Sequence, residues 1–229
     1  MNIFAFIFAR GNSKGIKNKN LLKFKKTTLL GNSILQAKRS KYIKRIFVST
    51  DSAKIIKEAK RCKAEVPFVR PKKLATDNSS EIYSWRHAVE HLDKKMKLKV
   101  DFIVSIPTTA PLRNSKDIDR SIKKALDENL DIVFCVTPSS RNPYFNILKE
   151  KNGKLEIALK KNKKQFYRRQ DAPICFDLTT VCYVFKPNYI NKNNNLFSGK
   201  IGFIKVPKNR ALDIDDIWDY KIAKCLSRS

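Results

Sequence analysis

Apolar and polar positions along the 229-residue chain keep two different periods. Short apolar runs at 3–8, 45–49, 66–69, 102–106, 132–136, 181–185 and 201–206 have the length of buried strands. Between them the apolar spacing changes to three and four. The stretch 33–40 follows Gly31-Asn32, Asp51-Ser52 opens one with Ile55, Ile56 and Ala59 on one side, and 80–92 carries Ile82, Trp85, Val89 and Leu92. Ser115 opens another with Ile118, Ile122 and Ala125, and 214–226 ends the chain with Ile217, Ile222 and Leu226 as its apolar face. Several of these stretches start at residues that accept hydrogen bonds from free helix amides, so each predicts a helix with one buried side. Strands and helices taking turns predict an α/β fold around a mainly parallel sheet.

The alternation lapses over 139–176. Residues 144–150 and 154–159 flank Asn152-Gly153, a dipeptide suited to a tight hairpin turn, and a polar basic stretch follows to Gln170. The segment predicts a protruding β-hairpin inserted into a single domain over 1–229. The apolar run at the N-terminus is too short for a bilayer and has no basic residue before it, so it reads as a first strand and predicts no membrane association.

Charge narrows the class of partner. Forty-nine Lys+Arg against 21 Asp+Glu give a formal net charge of +28, while 42% hydrophobic residues suffice for a core and exclude a disordered polycation. The charge implies acidic partners without choosing among nucleic acid, anionic membrane and phosphorylated small molecules. Its cations spread from Arg10 to Arg228 and are densest at Lys160, Lys161, Lys163 and Lys164, which have the polar look of a hairpin tip. With no RNA-binding, zinc-finger or basic-zipper pattern, the expectation is a solvated basic surface and no dedicated nucleic-acid partner. Cys62, Cys135, Cys175, Cys182 and Cys225 are odd in number and widely spaced, which predicts reduced, buried thiols in a cytoplasmic protein. His87 and His91 have zinc-ligand spacing, but no Glu follows His87 and no third ligand is in view, so they read as a boundary pair.

Two stretches carry candidate chemistry. Ala9 to Asn20, at the carboxyl end of the first strand, combines small residues with Arg10, Lys14 and Lys19. Ligands of open α/β sheets bind at that edge, and exposed amides with mobile cations suit phosphates, although the stretch matches neither the P-loop nor the dinucleotide fingerprint. A phosphate cradle and an ordinary basic turn are both open on this ground. Near the C-terminus, Asp213 and Asp215 stand at i and i+2 of Ala211-Leu212-Asp213-Ile214-Asp215-Asp216 and project to one side if the segment is extended. They suit a hard cation such as Mg²⁺, which takes one or two carboxylates plus phosphate oxygens and waters, or else cap the following helix. Ser49-Thr50-Asp51 reads as a structural turn.

Further motifs stand between these two. They are Val48-Ser49-Thr50-Asp51-Ser52, Arg70-Pro71-x-x-Leu74-Ala75-x-Asp77, Pro111-Leu112-Arg113 and Arg169-Gln170-Asp171-Ala172-Pro173. Together with Ala9-Arg10-x-x-Ser13-Lys14-Gly15-x-x-x-Lys19-Asn20 and Asp213-x-Asp215, the ordered set resembles the cytidylyltransferases that activate nine-carbon α-keto sugar acids, the CMP-sialic acid synthetase type, over nearly the whole chain. The run Arg141-Asn142-Pro143-Tyr144-Phe145-Asn146 is most similar to the branch that handles legionaminic acid. The resemblance implies a Rossmann-like nucleotidyltransferase fold and Mg²⁺-dependent transfer of CMP from CTP to the anomeric hydroxyl of a nonulosonic acid, with release of pyrophosphate. It also implies a homodimer formed through 139–176, which would lend residues to the partner's sugar pocket.

The resemblance assigns roles residue by residue. Arg10, Ser13, Lys14, Lys19 and Asn20 match positions that hold the nucleotide and its phosphates, and Asp213 and Asp215 match the metal pair; Arg10, Lys19, Asp213 and Asp215 form the expected catalytic set. Arg70, Asp77, Ser79 and Ser80 fall where the family shapes its cytidine pocket, though the two serines serve equally as the N-cap of the next helix. Arg169 matches the position that meets the sugar carboxylate, and Tyr183 and Phe197 match aromatic positions of the sugar pocket, where core packing is the alternative. The chain departs from the pattern at Pro107, in place of a sugar-contacting Gln, and at Thr179, in place of an Asn that reads an acylamino group. Both lie on the sugar side. The expected acid is therefore legionaminic-type first, with sialic, pseudaminic or a deaminated analogue behind it; Arg113 has no assigned role. A cytidylyltransferase for the eight-carbon acid Kdo and a basic nucleic-acid-binding protein are the rival readings.

Overall fold

The computed structural model describes residues 1–160 and 166–227, so Lys161, Lys163, Lys164 and Arg228 of the basic stretches lie outside the described residues. In chain order the first half runs β1 (Ile3–Phe8), a small hairpin β2 (Lys23–Phe24) and β3 (Thr27–Thr28), α1 (Leu29–Lys38), β4 (Arg45–Ser49), α2 (Ala53–Arg61), α3 (Glu81–Glu90), β5 (Phe102–Ser105) and α4 (Ser115–Asp127). The second half runs β6 (Ile132–Pro138), the hairpin β7 (Leu148–Lys151) and β8 (Lys154–Ile157), β9 (Phe176–Phe185), α5 (Pro187–Lys192), β10 (Ile201–Lys205) and α6 (Ile217–Leu226).

Six strands form one sheet in the order β10-β6-β9-β5-β1-β4. β1 pairs in parallel with β4 and β5, and β10 with β6; β9 alone runs against its neighbours, antiparallel to both β5 and β6. The side-chain alternation of β1 shows why helices cover both faces. Ile3, Ala5 and Ile7 pack with Leu30 and Ile34 of α1, Ile55 of α2 and Ile118 of α4, whereas Phe4 and Phe6 pack with Trp85 of α3 and Ile190 of α5. A third, smaller core joins Phe24, Leu29, Ile214 and Ala223 and seats the C-terminal segment. Among the described residues, no helix is long and apolar enough to cross a membrane.

The mostly parallel α/β sheet and the hairpin at Asn152-Gly153 agree with the sequence reading; both turn residues have positive φ, 52° and 73°. Four local expectations change. Residues 66–69 form no strand and make only the single bridge Thr50–Val69, with Phe47–Glu65 just before them, because Pro67 has no amide to donate. The first helix starts at Leu29 instead of 33, capped by Thr28, whose hydroxyl accepts from the Gly31 amide. The strand expected at 181–185 starts at Phe176, so the end of the inserted segment belongs to the sheet. The last helix starts at Ile217, and its face turns the other way: Ala223 is buried, while Ile217, Ile222 and Leu226 are 45%, 48% and 46% exposed. Cys135 and Cys182 are buried free thiols as expected, but Cys225 on the same outward side of α6 is exposed. His87 and His91 both lie against the Phe68 ring, in keeping with a boundary pair.

Candidate active site

The cleft lies at the carboxyl edge of β1, β4 and β5, where the chain leaves β1 into the loop of Ala9 to Asn20. That loop is held by its own backbone. The Ala9 amide donates to the Ser49 carbonyl at 3.0 Å and the Gly11 amide to Asp51 Oδ1 at 2.8 Å, which makes Asp51 a structural acceptor. Asn20 is buried and closes the loop: its Nδ2 donates to the Arg10 carbonyl at 2.8 Å and its Oδ1 accepts from Thr108 Oγ1 at 2.5 Å. At Gly15 the loop crosses the C-terminal acidic segment so closely that a Cβ would stand 2.0 Å from the Asp215 carbonyl oxygen.

The resulting cavity is about 620 Å³. Arg10, Ser13, Lys14, Lys19 and Asn20 line it from the loop, Arg70, Asp77 and Ser79 from the segment before α3, and Asp213 and Asp215 from the C-terminal side. Its charges are paired within the protein. Arg10 Nη1 lies 2.7 Å and Lys14 Nζ 3.5 Å from the Asp77 carboxylate, while Lys19 Nζ donates to the Ile214 carbonyl at 2.7 Å and lies 3.9 Å from Asp215. Arg70 is buried, donating from Nε to Ser49 Oγ at 3.0 Å and from Nη2 to the Ser49 carbonyl at 2.5 Å; burial pulls its pKa down to about 10, with Glu81 and Asp51 opposing.

The acidic pair suits a hard cation. Asp213 Oδ1 is buried with no hydrogen-bond partner, an arrangement that leaves a lone pair for a ligand from outside the chain. Asp215 keeps most of its side chain in solvent; loss of water on one side and then the Asp213 charge raise its carboxyl, with Lys19 opposing. No cluster of three or more acidic, His or Cys ligands exists among the described residues, so two carboxylates are what the chain offers. That number fits Mg²⁺, which fills its remaining positions with phosphate oxygens and water.

The other expected residues stand elsewhere. Ser80 takes the N-cap position of α3 without a side-chain cap bond and does not line the cleft. Thr179 is buried and donates to the Cys135 carbonyl at 2.9 Å, so Thr180, the next residue of β9, is the one that faces the cavity. Tyr183 is packed between Trp85 and Phe134, and burial pushes its hydroxyl up; Phe197 is exposed and stacks on Phe134 at 5.1 Å. Arg169 donates to the Ser139 carbonyl within the inserted segment and borders a separate recess with Arg141 and Ile174.

Sequence reasoning missed Glu81, Thr108, Thr109 and Thr180, all of which line the cleft. Thr108 and Thr109 had a usable signal, since they follow a buried strand into the ligand-binding edge. Glu81 had none, because an acid in a first helical turn is ordinary. Glu81 opens onto the cavity.

A basic loop at the carboxyl edge of an α/β sheet, set against two carboxylates across one cleft, defines a nucleotide-handling transferase of the nucleotidyltransferase type. The family model described as Cytidylyltransferase matches residues 4–218, and the chain belongs to that family. It is 35% identical over 224 residues to a CMP-N,N'-diacetyllegionaminic acid synthase of Campylobacter jejuni, covering 98% of this chain and 94% of the relative. A pseudaminic acid cytidylyltransferase of the same species is 28% identical over 99% and 96% of the two chains. The solved CMP:2-keto-3-deoxy-manno-octonic acid synthetase complexed with CTP shares the fold, with a TM-score of 0.74 at 12% identity over 100% of this chain and 99% of that one.

Proposed function

We propose that the chain transfers CMP from CTP to the anomeric hydroxyl of a nonulosonic acid, a legionaminic-type acid in the first place, and releases pyrophosphate. The observation that carries this reading is the buried, unpartnered Oδ1 of Asp213, a residue that lines the same cleft as Arg10, Lys14 and Lys19. A triphosphate brings more negative charge than Asp77 supplies, and at Arg10 and Lys14 it would exchange that intramolecular partner for phosphate oxygens. Arg10 and Lys19 then offset charge on the transferred phosphoryl group and its leaving oxygen. Asp213 and Asp215 would hold Mg²⁺, which would supply Lewis acidity toward the phosphate groups. Arg70, Asp77 and Ser79 line the same cleft, and the proposal gives them the nucleoside. The named relatives support a nonulosonic acceptor; a legionaminic acid ranks first because the relative named for it is the more similar of the two quoted.

The inserted segment belongs to the same proposal. Leu155, Tyr167 and Ile174 are 70%, 80% and 84% exposed, an apolar load suited to a second copy of this chain, and Arg169 stands among them, away from the cleft of its own protomer. Pyrophosphate release, assayed with Mg²⁺, each of the four ribonucleoside triphosphates and a panel of legionaminic, sialic, pseudaminic and deaminated acids plus Kdo, tests the reaction. Release confined to CTP and a nonulosonic acid is expected, and release with Kdo alone overturns the acceptor assignment. Light scattering of a fully active monomer would remove the dimer.

A further inference from the structure

Arg113 is buried beneath the cleft, at 2% exposure, and is not among the residues that line it. Its guanidinium donates from Nη1 to Ser33 Oγ of α1 at 2.9 Å, and from Nη2 to the carbonyls of Pro107 and, at 3.3 Å, Thr180. Ser33 Oγ in turn donates to the Pro107 carbonyl at 3.2 Å. All of these acceptors are neutral. A buried guanidinium without a paired carboxylate costs stability that an apolar side chain of similar volume would not, and that cost needs a return other than folding.

The segment it grips supplies the return, because residues 107–109 are bonded to both halves of the site. On one side Thr108 Oγ1 donates to Asn20 Oδ1 at 2.5 Å, and Asn20 holds the Arg10 carbonyl at 2.8 Å. On the other the Thr109 carbonyl accepts from the amide of Ile214, the residue between Asp213 and Asp215, at 2.8 Å. Lys19 Nζ takes the Ile214 carbonyl at 2.7 Å and closes the circuit. Thr180, held from below by Arg113, meets Thr109 through their hydroxyls at 3.2 Å.

We propose that Arg113 is a positioning residue for cytidylyl transfer: it fixes residues 107–109 and thereby the spacing between the phosphate-facing loop and the acidic pair. This inference rests on the reaction proposed above. The planar fork matters because it bonds α1, the loop and β9 in fixed directions, which an ammonium on a flexible stem does not reproduce. Two walls that must act on one transferred group tolerate little error, and a misplacement of about 1 Å costs on the order of 10²-fold in rate.

Arg113→Lys keeps the charge and removes the fork. The expected variant is folded by near-ultraviolet circular dichroism and has a kcat lowered by about 30-fold with KM for CTP within about threefold, a split that general destabilisation would not produce. Mn²⁺ titrated without nucleotide and followed by electron paramagnetic resonance should bind at least about fivefold more weakly, through the loosened acidic pair. Ser33→Ala is the second variant. It removes a buried hydroxyl that does not line the cleft and should reproduce both effects at a smaller size, about threefold each. A folded Arg113→Lys with kcat and Mn²⁺ affinity within twofold of the unmutated chain overturns the proposal, as does an unchanged Ser33→Ala if the lysine variant does not fold. Absence of turnover by the unmutated chain with every substrate pair overturns the reaction instead, and the Mn²⁺ comparison still reports on Arg113.

Discussion

Gly15 and Asp213 show how little room the site leaves to single atoms. The methyl of Gly15→Ala would fall 2.0 Å from the Asp215 carbonyl oxygen, and neither backbone can yield without moving the loop or the acidic segment. We expect that variant to lose on the order of 10²-fold in pyrophosphate release while its thermal midpoint changes little; wild-type turnover would disprove the crossing. Asp213→Asn keeps the shape and removes the charge, so Mn²⁺ binding and turnover should both fall, turnover by about 10² or more. Its metal-free stability should move the other way. The Asp215 carboxyl is raised in the folded chain, by loss of water on one side and then by Asp213, so this group favours folding most when protonated and loses that contribution as pH rises through the carboxylate range. Without the Asp213 charge the loss is smaller. The change in thermal midpoint between pH 4 and pH 7, measured in chelator, should therefore be more favourable in Asp213→Asn than in the unmutated chain; the difference is modest because Asp215 is open to solvent.

The last helix carries the next argument. Asp216 accepts from the amides of Trp218 at 2.7 Å and Asp219 at 3.0 Å, and Asp219 Oδ2 returns by accepting from the amides of Asp215 at 2.9 Å and Asp216 at 3.0 Å. This capping box starts α6 at Ile217 and leaves Asp213 to Asp216 outside the helix, Asp216 with an extended backbone. Asp216→Ala should cost about 1 kcal/mol, or about 2–4 °C in thermal midpoint for a chain of this size, with activity retained. Asp219→Ala should cost stability and turnover together, since it also frees the Asp215 amide. The same segment shows where sequence periodicity stops. Three aspartates in four positions each satisfy an N-cap rule, and the apolar spacing of 214–226 continues through the part outside the helix, so the pattern could not choose Asp216 or tell the inward face from the outward one. Strand positions were readable because their runs are apolar on both faces, yet such runs carry no direction, and the antiparallel course of β9 was invisible. So was the bulge opposite Phe134 and Cys135, where the pairing jumps from Tyr183 to Thr179, and with it the exchange of Thr179 for Thr180 as the residue facing the cleft. The phosphate-facing loop and the acidic pair were readable because their motifs are contiguous; Glu81 and the Arg113 circuit depend on contacts between distant segments.

Across the whole molecule, the excess of positive charge is not spent on internal pairing. Acidic groups such as Glu58, Glu65, Asp117, Asp127 and Asp131 already face a nearby Arg or Lys, which leaves most of the 49 cations to the solvent and to the cleft rim. Both proposed substrates are anions, and a field of this sign raises their encounter rate, by about 10- to 10³-fold in strongly steered systems. It acts on capture and not on the chemical step, because the transferred group is held by fixed contacts once bound. The Debye length falls from about 30 Å at 0.01 M to about 10 Å at 0.1 M salt, so most of the field beyond the cleft should be screened over that range. We therefore expect kcat/KM for CTP, measured in KCl at constant free Mg²⁺, to fall several-fold between those concentrations while kcat stays flat. A kcat that falls in parallel would mean that salt displaces the bound nucleotide, and a flat kcat/KM would mean that the charge does not steer. The same dispersal of cations argues against a nucleic-acid site. Duplex DNA should bind only at low salt and without sequence preference, since a spread field attracts a polyanion but supplies no element shaped to read one.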